Sequence, residues 1–251
     1  MLLVIDAGNT NIVFGAMEGD AVRRLVRWET DSVTDDESCF SRLRSDMKGL
    51  PLDGAILSSV VPERDAPLCA AAKRLTGRDC FVLTPTADTG MPLRVDAPET
   101  IGADLIAGCV AAKSRYPLPL AVADLGTANT VMAVDKDGAF RGGIITAGLR
   151  MQLRALGAGT SLLPDLSVAA PKNCIGTNTV DCLESGAVYG TAALLDGIAA
   201  RMERELGAPL TLVATGGLAP LVCAYCHREV YVEPELLLRG LAELYRKNVK
   251  A

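Results

Sequence analysis

Asp6-Ala7-Gly8-Asn9-Thr10-Asn11, set between Leu2-Leu3-Val4-Ile5 and the run 12–17, decides the fold because it occurs twice. Its second version is Asp124-Leu125-Gly126-Thr127-Ala128-Asn129-Thr130, set between Leu120-Ala121-Val122-Ala123 and Val131-Met132-Ala133-Val134. The two aspartates stand 118 residues apart. Each turn joins two apolar runs of strand length and is built from turn formers. A second turn follows each, Glu18-Gly19-Asp20 or Asp135-Lys136-Asp137-Gly138, and then a third strand over 23–28 or 139–146. A strand–turn–strand–turn–strand unit repeated at half-chain spacing predicts two domains of like build, 1–117 and 118–251.

Helical and extended segments alternate through the rest of the chain. Residues 55–60 read as a strand, 67–76 and 106–113 as helices. In the second half Leu183, Ala187, Val188, Leu194, Leu195, Ile198, Met202 and Leu206 fall on one helical face, with Asn178 or Thr179 as cap. Residues 211–214 read as a strand, followed by a tight Thr215-Gly216-Gly217 turn. Pro234, at a first helical position, opens a last helix to about Asn248. The class is α/β, with mixed sheets flanked by helices.

Of 251 residues, 49% are hydrophobic and 22% charged, which sets aside disorder and low-complexity assembly. With 25 Lys+Arg against 30 Asp+Glu the net charge is −5, so neither nucleic acid nor an anionic membrane is expected as a partner. The apolar start has no basic residues before it and is interrupted by Asp6, which is unlike a signal peptide. Leu206 to His227 carries no formal charge, but its glycines and prolines favour strand, turn and helix over a membrane span. Eight scattered cysteines fit a reducing, cytoplasmic compartment. Cys223-Ala224-Tyr225-Cys226-His227 invites a zinc or redox reading; no second Cys/His cluster accompanies it, and the trio is taken as structural.

The turns themselves suggest phosphate. Glycine lets the main chain approach an anion closely, successive N–H groups form a concave nest, and a hydroxyl adds a donor. Like charges repel, so an aspartate at the strand end must act through a cation or water. The combination reads as a metal–nucleotide site. A Gly-x-x-x-x-Gly-Lys-Ser/Thr loop and a Gly-x-Gly-x-x-Gly helix start are both missing from the sequence, which disfavours Walker-type and dinucleotide folds.

With Ser58-Ser-Val-Val-Pro62, Gly102-Ala-Asp104, Gly142-Gly-Ile-Ile-Thr-Ala-Gly148, Leu163-Pro164, Ile175-Gly-Thr-Asn-Thr179 and Ala214-Thr-Gly-Gly217 in the same order, the chain resembles the acetate kinase/sugar kinase/heat-shock chaperone/actin superfamily. Within it, the resemblance is to type III pantothenate kinase along nearly the whole length. It implies two ribonuclease H-like domains that clamp ATP in the cleft between them, a homodimer, and phosphorylation of pantothenate at the start of coenzyme A biosynthesis.

The resemblance also implies roles. Asp6, Ala7, Gly8, Asn9, Thr10, Asn11, Ile12 and Val13 would hold the ATP phosphates, with Asp6 near Mg2+ or another divalent cation, directly or through water. Thr127 would touch phosphate, and Gly216 and Gly217 would let adenosine lie against the main chain. Asp124 would help bind K+ or NH4+. Asp104 would be the catalytic base within a substrate-binding Gly102-Ala103-Asp104-Leu105 segment; without the resemblance it would read as an acid complementing a helix N-terminus. Thr179 would contact pantothenate, or simply cap a helix. Three positions depart from the family pattern. Leu105 stands where an Arg that reaches the substrate carboxylate is common, Val95 replaces a Tyr, and Asn129 replaces a Thr. Arg150 is a candidate replacement anchor. The alternatives are a nucleotide-binding regulator of the same fold without kinase chemistry, and a kinase of another small hydroxylated acid.

Overall fold

The computed structural model describes residues 1–84 and 86–249, which form two compact units, one of 1–84, 86–114 and 235–249 and one of 115–234.

In the first unit β1 (Leu2–Ala7), β2 (Asn11–Glu18), β3 (Ala21–Glu29), β4 (Gly54–Ser59) and β5 (Phe81–Val82) form one sheet in the order β3-β2-β1-β4-β5. β1–β2–β3 is an antiparallel meander, and β4 and β5 continue the sheet in parallel. Alternation on β1 sorts its residues between two cores. Leu3, Ile5 and Ala7 face α1 (Asp36–Asp46) and α2 (Asp65–Thr76), in a core with Phe14, Trp28, Leu43 and Leu68. Val4 faces α3 (Ala103–Lys113) and, with Ile56, Ala107, Leu238 and Leu241, a helix from the far end of the chain.

α1 has little apolar content and was not anticipated. Asp35 caps it, its Oδ1 accepting from the N–H groups of Glu37 (3.0 Å) and Ser38 (2.9 Å). α2 starts at Asp65 rather than 67, and α3 at Ala103 rather than 106, which puts Asp104 inside the first turn.

In the second unit β6 (Leu120–Leu125), β7 (Ala128–Val134), β8 (Phe140–Ala147), β9 (Thr211–Thr215) and β10 (Tyr231–Val232) form the order β8-β7-β6-β9-β10. This is the first sheet's order repeated strand for strand, with the same antiparallel and parallel partners. Ala121, Ala123 and Leu125 on one face of β6 pack with α4 (Leu149–Gly159), α5 (Thr179–Leu206) and α6 (Ala219–Cys223). The cap of α5 is Asn178, whose Oδ1 accepts from Asp181 N–H at 3.0 Å; Thr179 is the first helical residue.

The expected second domain, 118–251, is corrected at its end. The final helix, α7 (Leu236–Asn248), belongs to the first unit, and it begins at Leu236 rather than at Pro234. Its apolar face, Leu238, Leu241, Ala242 and Leu244, completes the core around Val4 and Ile56. Gly240 makes this docking possible: a Cβ there would run into the Ala107 carbonyl of α3.

Candidate active site

The two turns occupy equivalent places. Asp6 lies opposite Val13 on β2 and Ser58 on β4. Asp124 lies opposite Thr130 on β7 and Thr215 on β9. Each aspartate therefore sits near the C-terminal end of a central strand, beside a hydroxyl residue of the parallel neighbour.

In the first turn Gly8 N–H donates to Asn11 O at 3.0 Å, closing the bend. Thr30, buried behind it, donates its hydroxyl to Gly8 O (2.7 Å) and its N–H to Thr10 O (3.1 Å). The turn's carbonyls are thus engaged from one side, while Asn9 and Thr10 are exposed. Thr30 carried no sequence signal, because its role depends on where β3 ends. Ser58 is 1% exposed and its Oγ has no hydrogen-bond partner. A buried hydroxyl left unpaired costs free energy, so its position beside Asp6 marks a polar spot the apolar core does not require.

The second turn repeats the closure, with Gly126 N–H on Ala128 O at 3.1 Å. Here the support comes from Gly148, the cap of α4, whose N–H donates to Thr127 O at 3.1 Å. Thr127 is exposed. On the other side Gly216 has φ 93°, in the left-handed region that favours glycine. A Cβ on it would stand 2.6 Å from Asp124 Oδ1 and 2.7 Å from Leu125 N and O. The Gly216-Gly217 turn and the Asp124 strand end are therefore packed directly together, as a shared site demands.

Asp104, second residue of α3, is half-buried. Burial pushes its carboxyl above the usual range, against the opposing pull of the Leu105 N–H and its own. The carboxylate folds back over Gly102, so that a Cβ there would displace Oδ1 from its present position. Ala103 packs toward Val4 and Ile56, fixing this helix start against the sheet that carries Asp6. Leu105 is half-buried and can offer an anion nothing. Thr179 and Arg150 are both exposed, in the second unit. With Asn178 as the cap, the Thr179 hydroxyl has no capping duty.

Among the described residues no cluster of three His, Cys, Asp or Glu side chains could enclose a metal, the Cys223/Cys226/His227 trio included. Asp6 and Asp124 each offer a single carboxylate. That fits Mg2+, which is held by one or two carboxylates and completed by substrate phosphates. The ladder neighbours of Asp124, Thr130 and Thr215, both carry hydroxyls, and that of Thr130 has no hydrogen-bond partner; a hard cation suits such oxygen donors. A separate cavity of about 620 Å3, lined by Phe40, Arg44, Lys48 and Arg74 among others, lies on the α1–α2 side and contains none of these residues. No helix among the described residues is long and apolar enough to cross a membrane.

Known proteins share this fold and much of this sequence. The solved structure of a conserved putative Baf family transcriptional activator from Campylobacter jejuni matches with TM-score 0.64 at 17% identity, covering 98% of each chain. A putative 2-dehydro-3-deoxygalactonokinase from Sinorhizobium meliloti matches equally well, TM-score 0.64 at 15% identity and 98% of each chain. At such identities the likeness establishes the fold alone, two ribonuclease H-like units. Sequence goes further. The type III pantothenate kinase from Hyphomonas neptunium is 39% identical over 99% of this chain and 100% of its own. That from Phenylobacterium zucineum is 38% identical over 99% and 98%. The family model described as type III pantothenate kinase matches residues 2–201, and the chain belongs to that family.

Proposed function

We propose that this chain transfers the γ-phosphate of ATP to the terminal hydroxyl of pantothenate, the first step of coenzyme A biosynthesis. The observation that carries the proposal is the repeated placement of Asp6 and Asp124. The two have equivalent neighbours in two sheets of one order, within a chain of this family.

The Asp6–Val13 turn and Thr127 hold the phosphates of ATP, and Gly216 and Gly217 let the adenosine lie against the main chain. Asp6, directly or through water, would hold a divalent cation such as Mg2+, which would supply countercharge for the phosphates. Asp124 would help hold K+ or NH4+. Asp104 accepts a hydrogen bond from the substrate hydroxyl and takes its proton as oxygen bonds to phosphorus and ADP departs. Its raised pKa makes it a stronger base than an ordinary carboxylate while leaving it usable when ionised. Gly102, Ala103 and Leu105 line the alcohol, and Thr179 contacts it. Because Leu105 cannot pair with an anion, the substrate carboxylate is anchored elsewhere, and Arg150 is the exposed cation we assign to it.

A second copy of the chain completes the assembly. Ile145 (68% exposed), Met151 (46%), Leu156 (44%) and Leu162 (92%) leave apolar surface on β8, α4 and the segment after it. Such surface is characteristic of a partner site. Light scattering should give twice the chain mass, and Ile145→Glu should lower it.

The Leu105 substitution also supports a second reading, a nucleotide-binding protein of this fold that has lost the chemistry. Mass detection of phosphopantothenate after incubation with ATP, Mg2+ and K+ separates the two. Product supports the kinase, and ATP binding without product with any small hydroxylated acid supports the regulator.

A further inference from the structure

The Cys223-Ala224-Tyr225-Cys226 segment takes no part in the kinase reading, yet its geometry is specific. α6 ends at Cys223, and its last turn tightens. Tyr225 N–H donates to Val222 O at 3.0 Å and Cys226 N–H to Cys223 O at 3.2 Å, both i→i+3 bonds. Side chains three apart eclipse in such a turn. Its Cα ends lie within about 7 Å of each other, overlapping the separation of about 4.4–6.8 Å that a disulfide needs.

The pair is also held in place. Beyond it, His227 N–H and Arg228 N–H both donate to the Asp196 carboxylate of α5, at 2.9 and 3.2 Å, and Arg228 pairs with Glu203 at 3.1 Å. Between the cysteines, the Tyr225 ring packs edge-on against Tyr189 of α5, centroids 4.7 Å apart. Cys226 Sγ points toward α5, 3.9 Å from Ala192 O. Both cysteines are half-buried, so a small reagent can reach the pair.

We propose that Cys223 and Cys226 are a dithiol modification site that closes to an intrachain disulfide by exchange with a low-molecular-weight disulfide. The Cys223 thiolate attacks one sulfur of the reagent R–S–S–R and expels the first RS−. Cys226 then attacks the Cys223 sulfur of the mixed disulfide and expels the second RS−. The two thiol protons end on the two RSH released, and two electrons pass from the dithiol to the reagent. The order follows from placement: Cys226 Sγ is turned to the Ala192 and Val222 carbonyls, 3.9 Å from each, which hold its proton and disfavour its thiolate, so Cys223 attacks first. The electrostatics of the pair point the same way: the neighbouring thiol favours the thiolate at Cys223, while that neighbour and burial push Cys226 up.

Trypsin isolates the site, because residues 205–228 contain Cys223 and Cys226 and no other cysteine. The full chain should be treated with oxidised glutathione, alkylated and digested. The expected result is a 205–228 peptide lighter by two hydrogens that takes up no alkylating agent. Cys226→Ser should trap one glutathione on Cys223, and Cys223→Ser should trap none on Cys226. The exposed Cys174 and Cys182, on the separate peptide 173–201, report that the oxidant has acted. Were those two modified while the 205–228 peptide carried two alkyl groups, or a glutathione on each cysteine without a crosslink, the proposal would be overturned. The readout is covalent mass in the unmutated chain and is independent of the kinase assignment.

Discussion

The Asp124 carboxylate lies against the Gly216 main chain so closely that a Cβ at Gly216 would stand 2.6 Å from Asp124 Oδ1. Gly216 also has φ 93°. Gly216→Ala should therefore combine backbone strain with a collision, at a cost of about 1–3 kcal/mol. The urea midpoint should fall accordingly, and the KM for ATP should rise. A midpoint and KM equal to wild type would remove the argument that this turn and the Asp124 strand end form one site.

Asp104→Asn keeps the size of the side chain and removes the base. It should lower kcat by about 10²–10⁴-fold while leaving ATP binding, read by calorimetry, unchanged. Turnover near the wild-type rate would refute the proton-acceptor role.

The same variant tests the electrostatics of the site. Burial raises the folded-state pKa of Asp104 above its unfolded value, so between the two values the native state holds more protons than the unfolded one. Stability from this group is complete below the unfolded value of about 3.9 and is lost as pH rises through the folded one. Asp104→Asn, unable to ionise, should melt higher than wild type at neutral pH, with the gap closing in acid. A variant that melts lower at neutral pH and equal in acid would reverse the sign.

If Asp124 holds a monovalent cation, replacing K+ and NH4+ by Na+ should abolish most of the activity. Asp124→Asn should be slow in all three salts. Equal rates in K+ and Na+ for the wild-type enzyme would separate Asp124 from any cation role.

Much of this was legible in the sequence because it was local. Strand, turn and strand around Asp6 and Asp124 are set by apolar runs and turn residues adjacent in the chain, and the spacing of 118 exposed the repeat. What supports the turns was not local. Thr30 reaches Gly8 across 22 residues, and Gly148 meets Thr127 only once β8 has returned beside β7. The place of α7 was hidden for a related reason. An amphipathic pattern says that one face is buried, not against which sheet, and Leu238 and Leu241 fit the Val4–Ile56 face only through Gly240. α1 was missed because its signal is a cap, Asp35, rather than an apolar stripe.

In the proposed function the paired turns serve phosphoryl transfer to pantothenate. ADP release by the purified chain, followed continuously with pantothenate, ATP, Mg2+ and K+, tests it most directly. Turnover should saturate with pantothenate, stop without it, and disappear in Asp104→Asn. ADP release indifferent to pantothenate, or seen only with a different alcohol, would contradict it.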